Sequence, residues 1–369
     1  MDPKITITSE ENNTLYFNIS NLNHSLANSL RRIILSEIPT IVFRTFPHSE
    51  NKVEIISNTS RFNNEILKQR IGCIPIHIND TDFPLQDYII ELEMKNNSDN
   101  IQLITTEHFK IKNIINGQYL SDKAVKEIFP PDSITNDYIP ITRLRPKLSD
   151  NLKGEELILT STLDIGTAKQ DGMYNVVSTC GYGATVDKVK ANDIWNDKIK
   201  ELEKEGMTEE EIKFEKENWF LLEGKRITIP DSFDFTIENI GVFTNFEIVF
   251  KACDIMISKC NKFISLIENN EIEIKKNEDT TVNNEYIVTM ENEDYTLGNA
   301  LVYFLYEDFY LKDKLSFVGF RIPHPHIPKG VIRMAFEAPE TSTTVIQYIH
   351  SACEKVIKTF LKIKDNFKP

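Results

Sequence analysis

Few residues in this chain have the means to act as a reagent. His324-Pro325-His326 sets two imidazoles in a proline-rich loop. It is the most metal-like grouping present, but a catalytic zinc site takes three protein ligands and the sequence offers no third nearby. Cys180 lies in a Cys-Gly-Tyr-Gly stretch. A thiol nucleophile needs a base to take its proton, none stands close in sequence, and a buried or loop thiol is the expectation. The five cysteines, Cys73, Cys180, Cys253, Cys260 and Cys353, are odd in number, scattered and without a Cys-x-x-Cys pair. That fits neither a disulfide framework nor structural zinc, and it implies a reducing, intracellular compartment. Neither a GxxxxGK[ST] loop nor a GxGxxG turn occurs, so no phosphate-cradling backbone is expected. The reading assigns no catalytic residue, no cofactor and no metal.

Composition narrows the classes further. A chain of 369 residues, 40% hydrophobic and 27% charged, is long enough for two or three domains with a sizeable core. The polar opening MDPKITITSEENN has no apolar segment, and the longest apolar runs, such as residues 33–35 and 41–43, are far too short to cross a bilayer. A soluble, unsecreted protein without membrane contact is expected. The net charge of -14 opposes binding to phosphate backbones, which needs Lys or Arg to displace counterions. Any link to nucleic acid is expected to run through partners.

The elements that would position side chains can be read from periodicity. Alternation over residues 4–8 and 14–19 around Asn12-Asn13 predicts a β-hairpin. Leu26, Leu30, Ile33 and Ile34 paint one face of a helix that Pro39 closes, followed by a strand over residues 40–46. Residues 47–223 read as an inserted β-rich domain with strands near 53–56, 74–78, 88–94 and 157–163. Within it, residues 187–222 are crowded with Glu and Lys and read as a charged helical hairpin, with Thr208 and Glu211 as a capping box and a solvated face. Strands over 233–238 and 246–250 precede a helix bearing Ala252, Ile255, Met256, Cys260, Phe263 and Ile267, then a linker at 268–271. Beyond it come strands at 272–275 and 286–290, a helix from Thr296, strands at 315–322 and 331–337, and a terminal helix on Val345, Ile349, Ala352, Val356 and Phe360.

The second run of elements repeats the first. Residues 24–30 overlie 295–301 at an offset of 271, with Leu26/Leu297, Asn28/Asn299 and Leu30/Leu301 identical. Ser25 and Thr296 can both act as N-caps, and Ile33/Phe304 and Ile34/Leu305 keep the apolar face. Val42-Phe43-Arg44 matches Gly319-Phe320-Arg321 in Phe-Arg at an offset of 277, which would put an Arg at the end of the strand after each helix. Two such copies, each a sheet with one helix whose stripe needs cover, suggest helices packed across a pseudo-twofold axis. The interface between the halves is assigned to Leu26, Leu30, Ile33, Ile34, Leu297, Leu301, Phe304 and Leu305.

These residues carry a family resemblance. Residues 22–40 resemble the signature of the alpha chain of bacterial RNA polymerase and its archaeal D-type and eukaryotic third-subunit relatives. Gln69-Arg70-Ile71-Gly72 with Ile74-Pro75-Ile76 is similar to the family's Arg-hydrophobic-Gly-x-Ile-Pro segment. Gly166 with Ala168-Lys169 resembles its Gly-x-x-His-Ala-Lys-Trp segment, Thr167 and Gln170 standing where the His and Trp would be. Residues 291–334 resemble the archaeal L-type and eukaryotic eleventh-subunit signature. A fused order of the two is similar to polymerases of large nucleocytoplasmic DNA viruses.

The resemblance implies an α+β protein with two alpha-type dimerisation domains paired through helices: one from residues 1–46 and 224–270, the other from 271–369, with the insert between. It implies a noncatalytic assembly subunit of a DNA-directed RNA polymerase, a nucleotidyltransferase complex. The partners implied are the second-largest and largest subunits, with small zinc-binding subunits nearby. Arg31 and Arg32, and by the same route Arg70 and Lys169, are the expected docking positions. The family's cysteine clusters and the bacterial DNA-binding appendage have no counterpart here. The implied location is the virion or the host cytoplasm, with the nucleus left open. Two other readings stand beside this one: a metal-dependent hydrolase using His324 and His326, and an interaction module working through the hairpin 187–222.

Overall fold

The computed structural model describes residues 1–147, 149, 154–277 and 282–368. Parts of the expected insert (148 and 150–153) and of the expected second copy (278–281 and 369) lie outside the described residues. The chain forms two compact units: one of Met1–Ile34, Thr179–Glu238 and Asn245–Pro369, the other of Leu35–Ser178 with Asn239–Thr244.

Strands β1 (Lys4–Glu11) and β2 (Thr14–Ser20) pair antiparallel up to Glu11 opposite Thr14. Asn12 (φ 49°) and Asn13 (φ 64°) make the whole turn. Two successive left-handed residues give the turn twist that matches twisted strands, and asparagine tolerates that region. Leu15, Phe17 and Ile19 of β2 are buried. Helix α1 (His24–Ser36) buries Leu26, Ala27, Ser29, Leu30, Ile33 and Ile34.

The second unit begins with β3 (Thr40–Val42), β4 (Val53–Asn58), α2 (Asn64–Gly72) and β5 (Tyr88–Lys95). It continues with β6 (Gln102–Thr105), β7 (Lys110–Asn113), α3 (Asp122–Ile128), β8 (Pro140–Leu144), β9 (Glu156–Ser161) and β10 (Asp164–Gly166). The main sheet runs β4-β9-β5-β7, and β6–β8 and β10–β3 form two-stranded ribbons. Its core gathers Phe43, Val53, Leu67, Ile71, Ile90 and Leu159, among others. Two expected strands fall short here. The run 40–46 leaves its ladder at Val42. Beyond it, the buried Arg44 bonds Asp164 Oδ2 at 2.5 Å and Ile165 O at 2.6 Å, so a guanidinium takes over from ladder pairing. The run 74–78 buries Ile74 and Ile76 but forms no strand, since Pro75 has no N–H to give a neighbour.

The chain returns through β11 (Val177–Val186), α4 (Lys188–Lys204), α5 (Glu209–Leu221), β12 (Thr228–Asn239) and α6 (Asn245–Glu268). β11 and β12 complete the sheet β1-β2-β12-β11. The capping box at the start of α5 is formed, Thr208 N donating to Glu211 Oε2 at 2.8 Å and Glu211 N to Thr208 Oγ1 at 3.4 Å. Because the strands flanking this hairpin belong to that sheet, residues 187–222 fall in the first unit, and the expected insert bound at 223 gives way to one at 178/179. Residues 246–250, expected as a strand, are the first turns of α6, whose buried Ile248, Val249, Ala252, Cys253, Met256 and Cys260 follow helical spacing. A five-residue apolar run does not by itself distinguish strand from helix.

After Asn270 (φ 58°) come β13 (Ile274–Asn277), β14 (Glu285–Glu291), α7 (Tyr295–Leu305) with one π turn over Tyr306–Tyr310, β15 (Leu315–Arg321), β16 (Lys329–Phe336) and α8 (Ser342–Lys364). Their sheet runs β13-β14-β16-β15. The two sheets therefore share one topology, and the fold is α+β. β2 and β14 start at 14 and 285, and α1 and α7 at 24 and 295, so the offset of 271 covers a whole strand-helix segment. In both copies a left-handed asparagine, Asn21 (φ 56°) or Asn292 (φ 59°), leads into the helix. α6 and α8 start at 245 and 342, an offset of 97, so the first copy carries 271 − 97 = 174 additional residues between these segments. They enter after α1 and between β11 and β12. The strand equivalent to β15 is thus β11, and the Phe43-Arg44 match to Phe320-Arg321 is coincidental: β3 pairs with β10 in the other unit.

Close approach in the second copy rests on two glycines. A Cβ on Gly298 would come within 2.4 Å of the Phe320 ring, and one on Gly330 within 2.3 Å. Gly298→Val is expected to lower stability by about 2 kcal/mol through overpacking, read by chemical denaturation. An unchanged midpoint would show that Phe320 can move aside.

Candidate functional site

The site to which the repeat points is the joint between the copies, which lies inside the first unit. α1 and α7 meet where small side chains sit four apart, Ser25 and Ser29 on one helix, Thr296 and Ala300 on the other. Ser29 Oγ lies 2.8 Å from its own Ser25 O and 2.6 Å from Thr296 O, so its one proton is shared between the two carbonyls, and Ser29 and Thr296 are both 1% exposed. A hydroxyl that reaches the facing backbone requires the helices to be close, which residues of this size allow. Around the crossing, Leu26, Leu30, Ile33, Ile34, Leu297, Leu301, Phe304 and Leu305 are all buried.

Polar contacts fix the angle of the crossing. Arg32 Nε donates to Thr296 Oγ1 at 2.8 Å and its terminal nitrogen to Asp294 Oδ2 at 3.0 Å. Asp294 caps α7 by accepting from Thr296 N at 2.8 Å, and Asn23 accepts from Ser25 N at 2.8 Å in the first copy. The caps are therefore Asn23 and Asp294; Ser25 and Thr296, expected in that role, lie within the helices. Lys259 of α6 pairs with Glu293 at 2.9 Å, with both side chains largely buried.

The long helices α6 and α8 pack along each other more extensively than any other helix pair. Cys260 and Cys353 are in side-chain contact there, and that contact together with burial pushes the Cys260 thiol well up. Lys364 Nζ bonds Asp254 at 2.5 Å and lies over the Phe250 ring. The chain end is anchored by Phe367, fully buried, whose ring centroid lies 5.1 Å from Phe17 of β2 and 5.6 Å from Phe246 of α6.

The four expected docking cations part ways. Arg32 is engaged across the joint. Arg31 is hydrogen-bonded to Asn28 Oδ1 at 3.0 Å and lies near Cys180 and Tyr182 of β11. Arg70 bonds Ile141 O at 2.8 Å and Pro140 O at 2.7 Å, tying α2 to β8, and packs over the Phe62 ring. Lys169 bonds Ser36 O through its backbone at 2.7 Å and pairs with Glu37 at 3.7 Å. Arg70 and Lys169 belong to the second unit, Arg31 and Arg32 to the first.

The chemically capable residues have structural settings. Burial pushes the Cys180 thiol up to about 12, which keeps it protonated and non-nucleophilic near neutral pH. His324 and His326 are exposed between β15 and β16, where His324 Nδ1 accepts from His326 N at 3.1 Å. Among the described residues no group of three His, Cys, Asp or Glu is placed to hold a metal, and no helix is long and apolar enough to cross a membrane. Asp294, Glu293, Lys259 and Phe367 escape sequence reasoning. A signal for the caps was present, since Asn21/Asn292 and Asn23/Asp294 extend the repeat upstream at the same offset. Ser29→Leu should lower stability by roughly 3 kcal/mol by forcing the helices apart, while Ser29→Ala should cost about 1 kcal/mol. Thermal unfolding of both variants checks this, and equal midpoints would show that the crossing is not close-packed.

Comparison with known proteins agrees with this geometry. The RNA polymerase Rpb3/Rpb11 dimerisation domain matches residues 16–260, and the same domain matches again over residues 285–366. The subunit rpac1 of DNA-directed RNA polymerases I and III from Dictyostelium discoideum is 28% identical over 304 residues, 70% of this chain and 80% of that protein. Archaeal subunit Rpo3 of DNA-directed RNA polymerase is 26% identical in Pyrococcus horikoshii, over 72% of this chain and 98% of the relative, and 24% identical in Methanosphaera stadtmanae, over 72% and 99%. A relative matched over nearly its full length thus leaves more than a quarter of this chain over. The chain belongs to the RNA polymerase Rpb3/Rpb11 dimerisation-domain family, with two copies of that domain in one polypeptide.

Proposed function

We propose that the protein is a noncatalytic assembly subunit of a multisubunit DNA-directed RNA polymerase, working as an intramolecular pseudo-heterodimer that receives the second-largest and then the largest of the polymerase subunits, with small zinc-binding subunits nearby. The observation that carries this is the pairing of two equal sheet topologies, β1-β2-β12-β11 and β13-β14-β16-β15, in one compact unit. In this reading the first dimerisation domain, expected from residues 1–46 and 224–270, comes instead from residues 1–34, 179–238 and 245–270, the second comes from 271–369, and the insert is the second compact unit. Arg31, whose hydrogen bond runs to Asn28 of its own helix, is the docking cation in this reading. Separate chains lose translational and rotational freedom on pairing, whereas a tether holds the second copy at an effective concentration on the order of millimolar. The fused order also supports an origin in a large DNA virus, with the enzyme in virions or host cytoplasm.

Isolation of the tagged full chain from its native source tests the reading. Two very large subunits should accompany it at one to one, and a chain that purifies alone would overturn the proposal. Leu30→Asp and Leu301→Asp should each cost about 4 kcal/mol or more, because each buries an unpaired carboxylate, and both should abolish the co-purification. Unchanged melting of both variants would refute the pairing.

A further inference from the structure

The second unit carries a groove of about 1210 Å³ that the assembly reading does not use. Its floor is the β6–β8 ribbon, and its walls come from the segment leading into α2 and from the loop before β8. Four of its lining residues are arginines, Arg61, Arg70, Arg143 and Arg145, against two carboxylates, Glu107 and Asp137. The chain as a whole is strongly acidic, with a net charge of -14, so this is a local reversal of sign. Arg145 is paired with Glu155, and Arg70 gives its donors to backbone carbonyls. Arg61 and Arg143 are exposed and make no ion pair among the described residues.

Apolar surface is interleaved with this charge. Ile101 is 65% and Leu103 46% exposed, and Leu103 stands directly across the ribbon from Arg143. The volume exceeds the roughly 300–1000 Å³ of small-molecule sites. A nucleic acid would need a cationic track with open aromatic faces for its bases. Among the described residues the groove holds no such run: besides His108 its aromatic residues are the half-buried Tyr138 and Phe62, whose face is taken by the Arg70 guanidinium, and its exposed apolar surface is the aliphatic Ile101 and Leu103. Arginine and tyrosine are the side chains enriched at protein-binding hot spots, and here four arginines and Tyr138 stand beside exposed apolar surface.

We propose that this groove binds a short, extended peptide segment of another protein in which carboxylates alternate with large apolar side chains. The carboxylates pair with Arg61 and Arg143 and the apolar residues cover Ile101 and Leu103. This goes beyond polymerase assembly and does not depend on it.

Fluorescence anisotropy on the purified full chain tests it with three fluorescein-labelled probes. One is a short peptide alternating glutamate with leucine and phenylalanine, one is the same peptide with lysine for glutamate, and one is a single-stranded DNA. The glutamate peptide should bind, the other two at least about tenfold more weakly. The Arg61→Glu/Arg143→Glu double variant and, separately, Leu103→Asp should each weaken the glutamate peptide by about tenfold or more, while melting stays at the wild-type temperature because all three side chains are exposed. Absence of glutamate-peptide binding, equal binding of the lysine peptide, tighter binding of DNA, or binding unaffected by either variant would overturn the proposal.

Discussion

The close crossing of α1 over α7 is the constraint on which the first unit depends. Each copy of the fold is a four-stranded sheet with two helices, and a sheet this small cannot bury the stripes of both helices by itself. The missing cover comes from the other copy. Ser29 Oγ on Thr296 O brings the backbones together, and Leu30 and Leu301 on the same two helices are fully buried. The buried hydroxyl keeps its single proton hydrogen-bonded, shared between Ser25 O and Thr296 O, which offsets its loss of water. Arg32 then links the crossing to the cap of α7 through Asp294, so capping and pairing share one carboxylate.

Around this crossing the copies differ by what their loops carry. In the second copy the helix-to-β15 connection is a single π turn and a few residues, and β15 joins β16 through the short His324-Pro325-His326 loop. In the first copy the same two positions hold a separate compact unit and the α4–α5 hairpin. Insertions at loop ends leave the strand order and the helix faces untouched, which is why both sheets keep one topology. The hairpin has its own small core, Trp195 with Trp219 at 6.1 Å and Phe220 at 6.3 Å, so its charged faces are free to stay solvated.

The groups that could have suggested chemistry are tied to structure. Burial holds Cys180 and Cys253 as protonated thiols, and contact with Cys353 together with burial does the same for Cys260. Cys260 and Cys353 sit where α6 meets α8. Arg44, two residues past the end of β3, is a buried clasp on Asp164.

Sequence alone determined much of this protein. Period and punctuation located the Asn12-Asn13 hairpin, the α1 stripe, the capped hairpin at Thr208 and Glu211 and the terminal helix, because these signals are local. The offset of 271 announced two copies, since a shared buried face leaves the same apolar positions in both. Only the tertiary structure decided the rest. A five-residue run such as 246–250 suits a strand and a helix equally until it is packed, and β11 became the partner of β12 through pairing across dozens of residues. The caps at Asn23 and Asp294, the Arg32 clasp and the Phe367 anchor depend on where a distant acceptor or ring arrives. Arg61, Arg143 and Leu103 are separated along the chain, and folding of the second unit brings them to one groove.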